Sequence, residues 1–264
     1  MPECRMLKRE ETHMNSNVVY FSPTGGTKAV AELIINDLGS QVFDMTVSVL
    51  PSFFNEDDIV FFLVPVYGGR IPKPVYERMK LMHGSNTPAV VITVYGNHTV
   101  GDALLEMKEL AKECGFNVFA AGEMIAPHSL DKSYGAGRPD TSDKAKFKEF
   151  VDTVMAATSF KEVTVPGNKK YKPYVGVPVR PIVVRKNCMG CGICSETCPT
   201  NAVYLVQGRN SDVSKTELLK CISCMHCITV CASDARRVPI AEKAAIHAAL
   251  AKSASSHKEP KFYL

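Results

Sequence analysis

Two spacings of apolar residues alternate along the first 160 positions. Short runs are apolar at nearly every position, and the longer stretches between them are apolar at every third or fourth. Asn17–Phe21 (NVVYF) reads as a strand. Val30, Leu33, Ile34 and Leu38 share one face of a helix expected over Lys28–Leu38, with Thr27 as its N-cap and Gly39 at its end. Val42–Val47 is a weaker strand pattern. Ile59–Tyr67 (IVFFLVPVY) and Ala89–Tyr95 (AVVITVY) are apolar almost throughout, as strands buried on both faces must be. Helices are expected over Lys73–Met82, Asp102–Cys114 (stopped by Gly115) and Ser142–Ala157, and a fifth strand over Asn117–Ile125. Strands that alternate with helices imply an α/β fold with a doubly wound parallel sheet.

The pattern changes near residue 160. Lys161–Arg185 is rich in Pro, Gly and basic residues and has no helical period. We therefore expect a tail over 1–16, an α/β domain over 17–159, a linker or docking segment over 160–180 and a second domain over 181–264. An Ala-rich helix is expected over Ile240–Ser253, before a polar tail that ends in Phe262, Tyr263 and Leu264. Whether those last residues pack back onto a domain is left open by the sequence.

The chain has 264 residues, 45% of them hydrophobic and 22% charged, which suits two modest globular domains. No apolar run approaches the roughly 20 residues of a membrane helix. The first sixteen residues are polar, carry both signs of charge and lack the apolar stretch of a secretory signal. A cytosolic protein is expected. Net charge is +4 but uneven: residues 1–159 hold 15 Lys+Arg against 20 Asp+Glu, and residues 160–264 hold 16 against 7. The basic residues of the second part are scattered and no nucleic-acid-binding motif interleaves them, so no nucleic-acid partner is expected. Charge asymmetry of this kind can dock the two halves or steer a partner.

Eight of the ten cysteines fall between residues 188 and 231. Crowding of this kind in a cytosolic chain points to metal or redox chemistry rather than to structural disulfides. Cys188, Cys191, Cys194 and Cys198 form C-x2-C-x2-C-x3-C followed by Pro199, and Cys221, Cys224, Cys227 and Cys231 repeat the spacing. A loop with a thiolate at every third residue wraps three corners of an iron–sulfur cubane, and the fourth ligand comes from elsewhere. In two-cluster ferredoxins the fourth cysteine of each run serves the other cluster. This assigns Cys188, Cys191, Cys194 and Cys231 to one [4Fe–4S] cluster, and Cys221, Cys224, Cys227 and Cys198 to the other. Gly190 and Gly192 would let backbone N–H groups approach the sulfurs. Zinc is the competing reading, but two complete four-cysteine runs exceed its usual pair of pairs. Ala232 replaces proline in the second run and affects turn rigidity rather than ligation. His226 is read as a neighbour and not a ligand, and Cys114 as a small core residue.

Three loops follow strand ends, where open α/β sheets bind ligands. Ser22–Thr27 (SPTGGT) joins the first strand to the first helix; its hydroxyls and N–H groups at a helix start can surround a phosphate. It is neither a Walker loop nor G-x-G-x-x-G. PVYGGR (65–70) and YGNH (95–98) bring two tyrosines to flank a planar ring and glycines that admit backbone dipoles. Together the loops describe a mononucleotide with a flat, redox-active head.

SPTGGT, PVYGGRIP, YGN and the two cysteine runs resemble the ferrodoxin family, fusions of a flavodoxin-like domain with a bacterial-type two-cluster ferredoxin. The resemblance implies a flavodoxin-like five-stranded parallel sheet of order 2-1-3-4-5, a small α+β ferredoxin-like domain, and FMN as the flavin. By resemblance, Ser22, Thr24, Gly25, Gly26 and Thr27 hold the FMN phosphate. Val66, Tyr67, Gly68, Gly69, Tyr95, Gly96 and Asn97 line the ring. His98 stands where the family often has Arg. Pro127–Asp140 resembles the family's loop after the fifth strand, which either closes over the flavin or serves packing.

These readings predict an intracellular electron-transfer flavoprotein that couples FMN to two [4Fe–4S] clusters and exchanges electrons with redox partner proteins. The alternative is an FMN-dependent reductase that acts on a small molecule or accepts hydride from a reduced nicotinamide or deazaflavin. No second nucleotide fingerprint appears, which favours the carrier.

Overall fold

A computed structural model of the chain describes residues 14–47, 50–174, 179–208 and 212–264. Cys4 and most of the expected N-terminal tail lie outside the described residues. Strand β1 spans Asn15–Tyr20, β2 Gln41–Asp44, β3 Asp58–Pro65, β4 Thr87–Tyr95 and β5 Phe116–Ile125. All four pairings among them are parallel, in the order β2-β1-β3-β4-β5. Asn15 and Ser16, expected in the tail, already pair with Asp58 and Ile59.

The near-continuous apolar runs follow from burial on both faces: every residue of β4 is buried. Successive side chains alternate between two cores. Val19, Phe62, Val64 and Val91 pack under α2 (Lys73–Met79) and α3 (Ala103–Glu113). Val18, Phe61, Leu63 and Ile92 pack under α1 (Gly26–Leu38) and α4 (Thr141–Met155). Helix α1 starts earlier than expected. Gly25, not Thr27, is its N-cap, in the left-handed region at φ 88°, where glycine carries no steric cost. In α4, Asp140 and Asp143 form a reciprocal capping box.

The second domain is small. Its described elements are β6 (Ile182–Val183), a one-turn α5 (Ile193–Glu196), β7 (Val203–Val206), β8 (Val213–Thr216), a one-turn α6 (His226–Thr229) and β9 (Arg236–Arg237). β7 pairs with β8 and β6 with β9, both antiparallel. Its buried cluster consists of Cys194, Val203 and Cys227, with Cys198, Ile228 and Val230 against it. A core so rich in thiols is too small to hold a domain by apolar burial alone, and a metal group is the usual remedy.

Two features correct the expected layout. The sheet has six strands: the terminal β10 (Lys261–Tyr263) pairs antiparallel with β5 along residues 121–123. Phe262 stacks on Phe150 with ring centroids 4.6 Å apart, and the Tyr263 hydroxyl donates to Glu123 at 3.0 Å. An open edge strand offers unpaired N–H and C=O groups, and the chain end covers this one. The last residues therefore belong to the first domain's sheet, although sequence order places them in the second. The preceding α7 (Ile240–Ala254) bridges the domains, with Ile246, Leu250 and Ala254 sharing a core with Tyr134, Val179, Met225 and Val238.

The segment after α4 docks on the first domain. The Asp102 carboxylate accepts from the backbone N–H groups of Asn168 and Lys172, both at 3.0 Å, which pulls that carboxyl below its ordinary range. Cys114 is buried, as a small core residue should be.

Candidate functional site

The loops after β1, β3, β4 and β5 meet at one edge of the sheet, at their strands' carboxyl ends. They surround a cavity of about 490 Å³, within the usual range for a small-molecule site. Its floor holds Ser22, Thr24, Gly26, Thr27, Val66, Tyr67, Gly68, Tyr95 and Gly96. The cradle at the start of α1 suits an anion. The Ser22 Oγ accepts from the Lys28 N–H at 2.8 Å, which leaves its own hydrogen free to donate, and no acidic residue sits in the first turn.

Three of the expected ring and phosphate residues do not line the cavity. Gly25 serves as the exposed left-handed helix cap. Gly69, at φ 83°, lies 3.4 Å (from an ideal Cβ position) off the Gly101 backbone, so its small size lets two loops pack against each other. Asn97 turns its amide to the C-terminal segment and donates to the carbonyls of Ala254 at 2.6 Å and Ser256 at 2.9 Å. The Asn97 side chain thus clamps the chain end and does not line the cavity.

Of the remaining walls, the loop after β5 was one of two expected placements, whereas the contribution of the second domain was not foreseen. His98, Pro127, His128, Ser129 and Leu130 come from the first domain, and Val179, Ile222, Ser223, Glu242, Ala245, Ile246, Ala249 and Leu250 from the second. The Ile246 and Leu250 pair, four residues apart on a helix, was the one sequence signal for this wall. His128 packs its Cα and Cβ where Gly96 lacks a side chain. Burial, with His98 nearby, pushes the His128 imidazole down to about 4, so it is neutral at physiological pH. Its Nδ1 accepts from the Leu130 N–H at 3.2 Å. Further along the same loop, Asp131 pairs with His247 at 2.8 Å, and Arg138 pairs with Asp143 and donates to the Lys258 carbonyl at 2.7 Å. One loop therefore walls the cavity and fastens α7 and the chain end.

The second cysteine run adjoins this cavity, since Ile222 and Ser223 of its wall lie between Cys221 and Cys224. Cys188, Cys191, Cys194 and Cys231 line a single recess, so the fourth member joins from the other run. Burial pushes Cys194 up, with Cys231 and Cys191 as its raising neighbours. Burial also pushes Cys224 up to about 12, with Cys227, Cys198 and Cys221 adding to it. Cys231 thus stands with the three first cysteines of the other run, and Cys198 is an electrostatic neighbour of Cys224 and Cys227. Among the described residues, no three His, Cys, Asp or Glu side chains converge as ligands of one metal ion.

The two runs are built alike. The Ala202 N–H donates to the Cys198 Sγ at 3.3 Å, and the Ala235 N–H donates to the Cys231 Sγ at 3.3 Å. Burial opposes the Cys231 thiolate. The Ser233 hydroxyl and the N–H groups of Arg236, Ala235 and Ser233 overcome this and hold the thiol below its ordinary value. Gly190 and Gly192 lie in the left-handed region (φ 71° and 81°), and their counterparts Ser223 and Met225 do so without being glycine (φ 57° and 63°). Both face the junction. Ser223 walls the cavity and Met225 is buried in the shared core.

Three interactions join the second group to the first domain. Burial and the neighbouring Cys224 and Tyr174 push the Tyr67 hydroxyl well above the phenol range. His226 Nδ1 lies 2.8 Å from the Pro23 carbonyl and donates to it. Arg78 donates to the Pro199 carbonyl at 3.0 Å. Exposure is graded: Cys191 is exposed, whereas Cys224 and Cys227 are each 8% exposed.

Residues 187–238 match the family model of the 4Fe–4S dicluster domain. No curated protein matches the chain. Among solved structures, a flavoprotein from Bacteroides eggerthii is similar at 14% identity and TM-score 0.39, over 54% of this chain and 99% of its own. A flavodoxin from the domain Archaea is similar at 19% identity and TM-score 0.32, over 51% and 99%. Rubredoxin oxygen:oxidoreductase from Desulfovibrio gigas is similar at 14% identity and TM-score 0.40, over 53% of this chain and 35% of its own. The strand order, rather than these likenesses, carries the fold of the first domain. The first domain has the flavodoxin-like α/β strand order, residues 187–238 of the second match the 4Fe–4S dicluster domain, and residues of the second domain help to wall the cavity of the first.

Proposed function

We propose that the chain is an electron-transfer flavoprotein that holds FMN in the cavity and two [4Fe–4S] clusters in the two thiol groups. It would pass electrons between them and a redox partner protein. The observation that carries this reading is the shared wall: Ile222 and Ser223, which border the cavity, run directly into Cys224. A flavin there would exchange one or two electrons, and a cubane one, which couples two-electron to one-electron donors.

The protein's own part is to bind, orient and exclude water. Ser22, Thr24, Gly26 and Thr27 would hold the phosphate at the start of α1. Val66, Tyr67, Gly68, Tyr95 and Gly96 would line the ring. The neutral His128 retains its Nε2–H as a donor near the loops. Ile246, Ala249 and Leu250 shield the cavity with apolar surface. Cys188, Cys191, Cys194 and Cys231 would ligate the outer cluster, and Cys221, Cys224, Cys227 and Cys198 the inner one. The exposed Cys191 makes the outer site the place for a partner to dock. Among the described residues no helix is long and apolar enough to cross a membrane.

The test is anaerobic spectroscopy with iron and flavin analysis. The expected protein contains one FMN and about eight irons per chain. It is bleached by a reduced ferredoxin or an added reductase. Bleaching by NADH or NADPH alone would select the reductase instead, and zinc or an absence of metal would refute the cluster assignment.

A further inference from the structure

Arg236 is 1% exposed and is the largest fully buried side chain in the described structure. Its Nη2 donates to the Thr216 Oγ1 at 2.6 Å and to the Cys227 Sγ at 3.4 Å. Its Nε and Nη1 are buried and have no hydrogen-bond partner among the described residues. No carboxylate pairs with it among the described ion pairs. A buried cation without a counter-charge is one of the costliest arrangements a fold can hold.

The negative charge it needs lies in the two thiol groups. Arg236 lines the recess of Cys188, Cys191, Cys194 and Cys231. The N–H of its neighbour Ala235 donates to the Cys231 sulfur at 3.3 Å. The Arg236 guanidinium reaches Cys227, which belongs to the other group. Arg236 therefore stands between the two sites and touches both.

The internal repeat shows that the turn does not require arginine. Ala202 and Ala235 make the same N–H to sulfur bond in the two runs. The residue after Ala202 is Val203, buried to 5% exposure, whereas the residue after Ala235 is Arg236. One repeat fills the position with an aliphatic side chain and the other with a fixed charge.

We propose that Arg236 is a positioning residue whose buried charge is shared by both clusters and raises their reduction potentials, that of the inner cluster most. This inference rests on the two-cluster reading above. A cubane held by four thiolates is anionic, and one added electron makes it more so, with no bond made or broken. A nearby fixed cation stabilises the reduced form more than the oxidised one, and N–H donors to sulfur act in the same direction.

The experiment is an anaerobic dithionite titration of the full-length holoprotein with mediators, followed by EPR, beside iron and flavin analysis. Arg236→Met should keep its iron and shift the reduction equilibrium of the inner cluster, whose Cys227 the arginine touches, at least tenfold toward oxidised, 59 mV for a one-electron couple. The flavin midpoint should not move. Arg236→Lys should recover at least half of the shift. If Arg236→Met does not load iron, Arg236→Gln takes its place against Arg236→Lys. Unchanged potentials in the neutral variant would overturn the proposal. So would equal shifts in the lysine and neutral variants, or loss of iron from all three, which would make Arg236 a structural residue. Wild-type protein without iron would instead refute the two-cluster reading itself.

Discussion

Gly96 opens the loop after β4 with no side chain, and His128 fills the space that a Cβ would take. A methyl group at residue 96 would lie 2.5 Å from the His128 Cδ2, 2.6 Å from its Cα and 2.7 Å from its Cβ. A new rotamer moves the ring but not the Cα, so the backbone of residues 127–130 must yield. Those residues wall the cavity. Overpacking of this kind costs about 1–3 kcal/mol. Carried into binding, that is a loss of roughly 5- to 150-fold in affinity. The assay is anaerobic titration of flavin-stripped protein with FMN, followed by quenching of flavin fluorescence. Iron content serves as the internal check and should stay at the wild-type level, because the thiol groups lie on other segments. Gly137→Ala is the control: it lies in the same loop at φ 75° with no atom within 4 Å, so it brings backbone strain without a clash. Gly96→Ala protein that binds FMN within twofold of wild type would refute the claim that the 127–130 loop closes on the flavin.

Three further predictions follow from the same contacts. Cys198→Ala should lose about half of the iron and keep the EPR signal of the cluster in the Cys188, Cys191, Cys194 and Cys231 recess, because its electrostatic neighbours are Cys224 and Cys227; loss of that recess's signal instead would mean the runs do not exchange ligands. The burial that pushes His128 down to about 4 makes folding bind fewer protons than unfolding once pH falls below the ordinary histidine value of 6.5. His98 is lowered in the same direction. Stability should therefore be full above about 6.5 and fall as pH drops toward 4, and thermal melts of His128→Gln should show a shallower fall over that window; an identical slope would count against a buried neutral imidazole. Asn97→Ala removes two donors to the chain end and leaves carbonyls unpaired, a loss of about 1–3 kcal/mol read as a lower melting temperature; an unchanged melt would mean that the strap is held elsewhere.

Much of this molecule is written in short stretches of its chain. The apolar runs that became β3 and β4 could only be buried on both faces, and burial on both faces requires helices above and below. Cysteines three residues apart name their chemistry locally, because one loop can wrap one cubane. The repeat also predicts an exchange of the fourth cysteine, and Cys231 lines the recess of Cys188, Cys191 and Cys194. Ser22–Thr27 signalled an anion cradle because hydroxyls, glycines and a helix start lie within six residues.

Only the tertiary structure decided which surfaces meet. Lys261–Tyr263 has no pattern that names a partner, yet it finds the open edge of β5 because an unpaired edge costs hydrogen bonds and Phe262 finds the Phe150 ring. Asn97 reads as a ring contact beside Tyr95 and Gly96, but its amide had carbonyls of the distant chain end within reach. Arg236 looks in the sequence like one more surface charge of a basic domain; its burial appears only when two thiol groups close around it. Local spacing dictates what a short segment can bind, whereas pairing between segments far apart along the chain depends on shape and on unmet hydrogen bonds that exist only after folding.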